Sequence, residues 1–183
     1  MKYSFFKRMI GILLLLLSFS CSSDLDFNQA NDFNVQPVFT TNLAYFEAKA
    51  PNFVINGVER SVFSYSSNVD FFTTSFIEND LVKADLYFRI KNTIARAYVL
   101  NVTFLDKMDR PIYSMSPMNV PASNGTEILV ERNEIFSGTN VDILKNTTKM
   151  VFSIEMLAGP PLTANSTGRV ELSSSITAYF DVK

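Results

Sequence analysis

Three long stretches of this chain alternate apolar and polar residues, and this alternation constrains its fold more than any other feature. They cover residues 82–91, 98–105 and 169–182. Because successive side chains of a β-strand point to opposite faces of a sheet, strict alternation predicts strands with one buried and one wet face. In the first stretch one face would carry Val82, Ala84, Leu86, Phe88 and Ile90, and the other Lys83, Asp85, Tyr87, Arg89 and Lys91.

Shorter apolar stretches, separated by Asn, Gly, Pro and Ser, predict further strands. They lie at 37–46, 53–58, 61–65, 69–76, 112–116, 126–131 and 149–157. Only residues 140–145 favour a short helix, which we expect to bridge two sheets. No stretch keeps a helical period over three turns, which argues against βαβ units. The pattern predicts an all-β fold, a single antiparallel β-sandwich of about eight strands over residues 35–183. Its strand spacing resembles immunoglobulin-like or fibronectin-like domains.

The first twenty residues differ in composition from the rest of the chain. A basic start with Lys2, Lys7 and Arg8 precedes a short apolar run over residues 9–19, which is too short for a membrane span of about 20 residues. The small residue Ser20 and the solitary Cys21 follow. This arrangement resembles a bacterial lipoprotein signal, which implies cleavage before Cys21 and lipidation of that cysteine. The alternative is an ordinary secretory signal that leaves Cys21 as a free thiol.

The resemblance also implies where the mature protein resides. Several acyl chains on one residue give lasting membrane attachment. Ser22 and Ser23 lack the aspartate that commonly retains lipoproteins at the inner membrane, so the outer membrane is expected. In some bacterial groups, acidic residues just after the cysteine, such as Asp24 and Asp26, direct lipoproteins to the cell surface. Which leaflet of the outer membrane holds the lipid stays open. The predicted organisation is a signal at 1–20, a polar tether at 21–34 and the sandwich at 35–183.

The residue inventory excludes several chemistries. The chain has no histidine and one cysteine, so a Ser-His-acid triad and a thiolate metal cluster are both impossible. Residues 21–183 carry 13 Lys and Arg against 18 Asp and Glu, which disfavours nucleic acid as a partner. We therefore expect no enzyme activity, no cofactor and no metal. Two alternatives stay open. One is a hydrolase with two carboxylates, and the other is a calcium site that uses Asp106 and Asp109 or the tether residues Asp24, Asp26 and Asp32.

Two surfaces are candidates for binding. Tyr87 and Tyr179 fall on predicted wet faces, and if their strands were neighbours they would form an aromatic platform for a sugar ring or a protein. Loops 116–125 and 157–168 are a second candidate, since loops commonly carry recognition. The preferred hypothesis is a non-enzymatic interaction or structural module of the cell envelope with a protein partner. The alternative is a surface lipoprotein that binds an extracellular glycan.

Overall fold

The computed structural model describes residues 35–182, a β-rich unit with two short α-helices. No helix within this range is long and apolar enough to cross a membrane. The helices are α1 (Ser75–Asp80) and α2 (Val141–Lys145). The strands are β1 (Val38–Lys49), β2 (Val54–Ile55), β3 (Val58–Glu59), β4 (Val62–Asn68), β5 (Leu81–Asn92), β6 (Tyr98–Leu105), β7 (Pro111–Ser114), β8 (Met118–Val120), β9 (Ile128–Ser137), β10 (Lys149–Met156) and β11 (Arg169–Phe180).

Two antiparallel sheets carry the fold. Sheet 1 has the order β1-β11-β5-β9, and sheet 2 the order β4-β10-β6-β7, with β8 also paired to β6. The pairing is nested, because β1 pairs with β11, β4 with β10, β5 with β9 and β6 with β7. That is one long antiparallel ribbon rolled up on itself. Rolling brings β5 beside β11 and β6 beside β10, and the result is a jelly roll.

The predicted all-β antiparallel sandwich of about eight strands is confirmed. Its strand order differs from that of the immunoglobulin fold, where consecutive strands share a sheet before the chain crosses over. Here the chain changes sheet between β4 and β5 and again between β5 and β6. Strand spacing is similar in the two architectures, because spacing records strand and loop lengths and leaves the pairing partner undefined.

Phenylalanine dominates the interior between the sheets. Phe88 from sheet 1 and Phe152 from sheet 2 are fully buried, with ring centroids 6.4 Å apart. Phe104 and Phe136 pack across the sandwich at 5.7 Å. Each buried side chain of this size contributes roughly 2–3 kcal/mol of transfer free energy. The inward positions of the three alternating stretches are buried, as expected from their period, and supply about a third of the buried apolar residues; the other strands and the connections between them supply the rest.

The segment after β4 departs from the sequence expectation. Residues 69–76 were expected to form a strand, and that prediction is wrong, because Asp70–Thr73 form a 3₁₀ turn and α1 follows at Ser75. The segment carries the chain from sheet 2 to sheet 1 and buries Phe72 and Ile77 against the core. Apolar side chains needed to close the end of a sandwich give a short apolar run like that of a strand.

Two other short elements, α2 and the β2–β3 hairpin, lie where the sequence predicted one helix and one strand. The predicted helix at 140–145 is confirmed as α2, and it links β9 of sheet 1 to β10 of sheet 2. The expected strand at 53–58 is instead mostly a tight hairpin of β2 and β3. Its turn contains Asn56 at φ 53° and Gly57 at φ 77°, the left-handed pair that two-residue hairpin turns favour.

Candidate functional site

The outer faces of the two sheets differ sharply in charge. The outer face of sheet 1, named here the charged face, carries ionisable side chains from all four strands. The outer face of sheet 2, named here the uncharged face, is made of small polar and branched apolar side chains except near the ends of its strands. Members of the charged face include Glu47, Lys49, Lys83, Asp85, Arg89, Lys91, Glu131, Arg169 and Glu171.

Strand register arranges the uncharged face in rows. One row crosses four strands as Ser66, Val151, Thr103 and Ser114, and the next holds Ser64, Ser153 and Asn101. Ser64 and Ser153 lie 3.5 Å apart through their hydroxyls, as do Thr103 and Ser114. The side chains of both rows are short.

Charges appear on the uncharged face only near the ends of its strands. Lys149 lies at one end and forms an ion pair with Asp109 at 2.5 Å. Glu155 lies at the other end of β10 and is exposed. The two middle rows therefore form a charge-free centre with charged ends, and depletion of charge at the centre is one compositional feature of a protein interface.

Tyr87 and Tyr179 lie on neighbouring strands of sheet 1, as the platform hypothesis required. In the β5–β11 register Tyr87 is opposite Ser175 and Tyr179 is opposite Lys83. The two tyrosines are thus four residues apart along the strand direction, which is about 13 Å. They share the charged face without forming a continuous aromatic surface.

Each of the two tyrosines donates its hydroxyl to a carboxylate. Tyr179 donates to Asp85 Oδ2 at 3.0 Å, and Tyr87 donates to Glu131 Oε1. These hydrogen bonds raise the pKa of both phenols, because ionisation would place two negative charges together. Lys83 Nζ also sits 4.6 Å from the centre of the Tyr179 ring, a cation–π contact. Cross-strand contacts therefore hold the orientation of both rings.

A third tyrosine joins this face, and sequence reasoning missed it. Tyr45 on β1 is opposite Ser173 of β11 and is 59% exposed. A β-bulge between Asn42 and Ala44 shifts the register by one residue, which reverses the alternation of side chains along β1. Tyr45 consequently points outward, and no signal in the residue pattern marks the bulge.

The three tyrosines surround a floor of small side chains. Ser173, Ser175 and Thr177 follow one another at every second position of β11, between β1 and β5. Arg89 Nε donates to Ser173 Oγ at 3.2 Å, and the hydroxyls of Thr40 and Thr177 are 2.9 Å apart. The face thus has a shallow polar strip with tyrosines around it.

The second predicted surface, loops 116–125 and 157–168, is gathered at one end of the sandwich. Asn92 Nδ2 donates to Arg96 O and to Pro121 O, both at 2.8 Å. Arg96 Nε donates to Leu157 O at 2.7 Å, and Arg96 Nη1 lies 3.1 Å from Glu59 Oε1. A buried amide and a buried guanidinium therefore tie both loops to the segment between β5 and β6.

A cleft of about 610 Å³ lies at the other end, and its lining includes Glu78, Asp106 and Asp142. Hydrogen bonds from Arg110 hold the pKa of Asp106 below its usual range. A general acid requires a raised pKa, so this carboxylate is not tuned for that role. Asp109, the other acidic residue of the calcium alternative, accepts a hydrogen bond from Lys149 Nζ. Residues 35–182 contain no group of three or more acidic, His or Cys side chains placed to hold a metal.

No protein-family model matches this chain, and no curated protein matches it. A solved structure from Parabacteroides distasonis ATCC 8503, of a protein inferred to be secreted, resembles it at TM-score 0.45 and 9% identity, covering 64% of this chain and 37% of that one. The VP2 subviral particle of infectious bursal disease virus matches at TM-score 0.44 and 11% identity, covering 79% and 32%. This chain spans about a third of the length of either protein. Likeness of this degree carries no argument about function. Cys21 lies outside the described residues.

Proposed function

We propose that this chain is a non-enzymatic lipoprotein of the bacterial outer membrane, anchored through lipid on Cys21, whose sandwich binds another envelope protein. The observation that carries the proposal is the charge-free centre of the uncharged face. A soluble protein usually places charges on its exposed sheet faces, as the charged face of sheet 1 does. A face that omits them over two rows and several strands shares with an interface centre its depletion of charged residues.

The geometry of the uncharged face favours a protein as its occupant. Its middle rows contain serine, threonine, asparagine and valine, short side chains that supply hydrogen-bonding groups and methyl groups. A flat protein surface can cover such a face without leaving a charge buried and unpaired, which would cost several kcal/mol. The charges at the strand ends would then stay at the wet rim, where polar groups belong.

The anchor rests on the sequence of the amino terminus. The tether from Cys21 to Asn34 has 14 residues, and an extended chain of that length spans at most about 50 Å. This length lets the domain reach a membrane-bound partner while the lipid holds it at the bilayer. A Cys21→Ser variant should move from the membrane fraction to the soluble fraction. Unchanged membrane attachment would contradict the proposed lipid anchor, and it would not bear on the proposed binding face.

Charge insertion tests the binding face. In Asn101→Lys a positive charge stands at the centre of the uncharged face, while the matched control Ser173→Lys places one at the centre of the charged face. We expect wild type and Ser173→Lys to migrate on native gels of mild-detergent membrane extracts as a complex with a partner. Asn101→Lys should migrate faster, as the free chain. Equal migration of all three, at equal stability, would refute the proposal.

A glycan-binding function is the second candidate, and the three tyrosines favour it. Tyr45, Tyr87 and Tyr179 surround a strip of hydroxyl side chains, and aromatic rings with nearby hydrogen-bonding groups are what a sugar needs. Tyr45→Ala is the sharpest variant, because Tyr45 is the most exposed of the three. Retardation of the wild-type chain in gels containing a neutral polysaccharide, lost in Tyr45→Ala, would support it. No retardation across a panel of neutral polysaccharides would dismiss it.

A further inference from the structure

Of the sheet edges in the described part of the chain, the first half of β1 is the least protected. β1 is an outer strand of sheet 1. Its residues Val38–Phe46 contain no charge and no proline, and Val38 and Phe39 are 54% and 55% exposed. Soluble proteins normally blunt such an edge, because unpaired backbone groups and apolar side chains invite another strand.

On the opposite side of the sandwich, the edges of both sheets are protected against pairing with another strand. β9, the other edge of sheet 1, turns Arg132 and Glu134 toward the interior side of the sheet, where Arg132 donates to Ser116 O and Glu134 accepts from the Tyr113 hydroxyl. Inward charges on an edge strand are a recognised block to pairing. On sheet 2 the same side consists of two short pieces, β7 of four residues and β8 of three, which pair with opposite ends of β6.

The remaining edge, β4, lies against the second half of β1. Ser67 Oγ donates to Leu43 O at 3.3 Å, and Phe46 packs on Tyr65 with ring centroids 5.2 Å apart. These contacts occupy the region after the β-bulge. Among residues 35–182, therefore, no strand pairs with the outer side of the first half of β1, before the bulge.

Hydrogen bonding fixes which backbone groups of β1 face outward. Val35 and Val182 exchange both backbone hydrogen bonds, and Phe180 N donates to Pro37 O. In an antiparallel pair such bonded residues occur at every second position. The bonded positions on this strand are therefore the odd-numbered ones. Val38, Thr40 and Asn42, at the even-numbered positions, consequently turn their N–H and C=O groups to the free edge.

We infer that this edge pairs antiparallel with the same edge of a second copy of the chain, with the two-fold axis at Thr40. Val38 of each copy then faces Asn42 of the other, and the two Thr40 residues face each other. Each of the three pairs exchanges two hydrogen bonds, which gives six between the copies. The two four-stranded sheets become one continuous sheet of eight strands.

A second copy fits this edge better than an unrelated strand, because the segment is self-complementary. Two-fold pairing places the residues close to the axis near their own copies, so a charge there would repel its copy. Residues 38–46 carry none. Pairing also covers the exposed Val38 and Phe39. The pairing uses the edge of sheet 1 and is independent of the lipid anchor and of the uncharged face.

A cysteine at the proposed axis tests the register. In the pairing, the two Thr40 Cα atoms are about 5.5 Å apart, within the range that a disulfide spans. We expect the full chain with Thr40→Cys, purified in detergent, to form a disulfide-linked dimer under mild oxidation. Thr41→Cys, one residue on and equally exposed, should not, since position 41 faces position 39 of the other copy. Equal linking of both variants, or of neither, would overturn the inference.

Sedimentation equilibrium of the full chain in density-matched detergent gives an independent test. The wild type should show a concentration-dependent doubling of protein mass. Thr40→Pro removes an outward N–H without touching the bonds to β11, and proline is tolerated on an edge strand in that orientation. We expect Thr40→Pro to stay monomeric and Thr40→Val to dimerise like wild type. A monomeric wild type at every concentration, or a dimeric Thr40→Pro with an unchanged circular dichroism spectrum, would refute the pairing.

Discussion

Replacing Asn92 by alanine should destabilise the domain by about 3 kcal/mol. Asn92 is the last residue of β5 and is fully buried. Its side chain makes three hydrogen bonds to backbone groups, donating to Arg96 O and Pro121 O at 2.8 Å and accepting from Ile94 N at 2.9 Å. At about 1 kcal/mol for each group left unpaired by the alanine, the loss comes to about 3 kcal/mol.

Urea unfolding followed by far-UV circular dichroism measures this loss. For a slope of about 2 kcal/mol/M, typical of a small domain, the midpoint should fall by about 1.5 M. Asn92→Asp should be at least as damaging, because a carboxylate cannot donate to the two carbonyls and would be buried. The matched control Asn101→Ala lies on an outer face and should stay within about 0.5 kcal/mol of wild type. A midpoint for Asn92→Ala equal to that of Asn101→Ala would refute the role given to this amide.

Three further outcomes are expected. Gly168→Ala should cost about 1–2 kcal/mol more than Gly125→Ala in the same urea titration, because both glycines have positive φ but only at Gly168 would a Cβ meet an atom, Thr93 O at 2.7 Å. Tyr98→Phe should leave stability unchanged or raise it by about 1 kcal/mol, since the buried Tyr98 hydroxyl has no hydrogen-bond partner among the described residues; a large loss would show that a partner exists. Asp106 has a lowered pKa in the folded chain, so its contribution is present above its unfolded pKa and is lost as pH falls through the folded value. Thermal melts from pH 5 to pH 2 should therefore show a smaller decline for Asp106→Asn than for wild type, and equal declines would contradict this assignment.

The sequence predicts sheet faces well where a strand alternates without interruption. Leu86, Phe88 and Ile90 were assigned to one face of β5, and all three are fully buried. The first residue of that stretch behaves differently. Val82 is 47% exposed, because the β5–β11 register shifts beside it. A bulge adds one residue to a strand without any compositional mark, so every side chain beyond it changes face.

The sequence does not predict which strands pair with each other, and the reason is different. Alternation shows that Tyr87 and Tyr179 each point to solvent, but their position on neighbouring strands follows from the rolled ribbon that joins β5 to β11. The same long-range pairing makes β1 an edge and β11 a central strand. The position of Tyr45 on the charged face depends on both the β1–β11 pairing and the bulge, which is why sequence reasoning missed it.

The uncharged face follows from the same kind of long-range arrangement. Asn101, Thr103, Val151 and Ser153 are unremarkable in the sequence, and they form a charge-free surface only when β6 and β10 lie side by side. Their alternation on each strand was visible beforehand. Their combination into one face was not, because it depends on a register between residues about fifty positions apart.

Photo-crosslinking in intact cells tests the proposed binding face most directly. A photoreactive phenylalanine analogue is placed at Asn101, in the middle of the uncharged face, or at Ser173, in the middle of the charged face. The account predicts one discrete crosslinked band containing a second protein from Asn101 and none of that size from Ser173. No crosslink from Asn101 at normal expression, or the same band from both positions, would contradict the claim that the uncharged face meets an envelope protein.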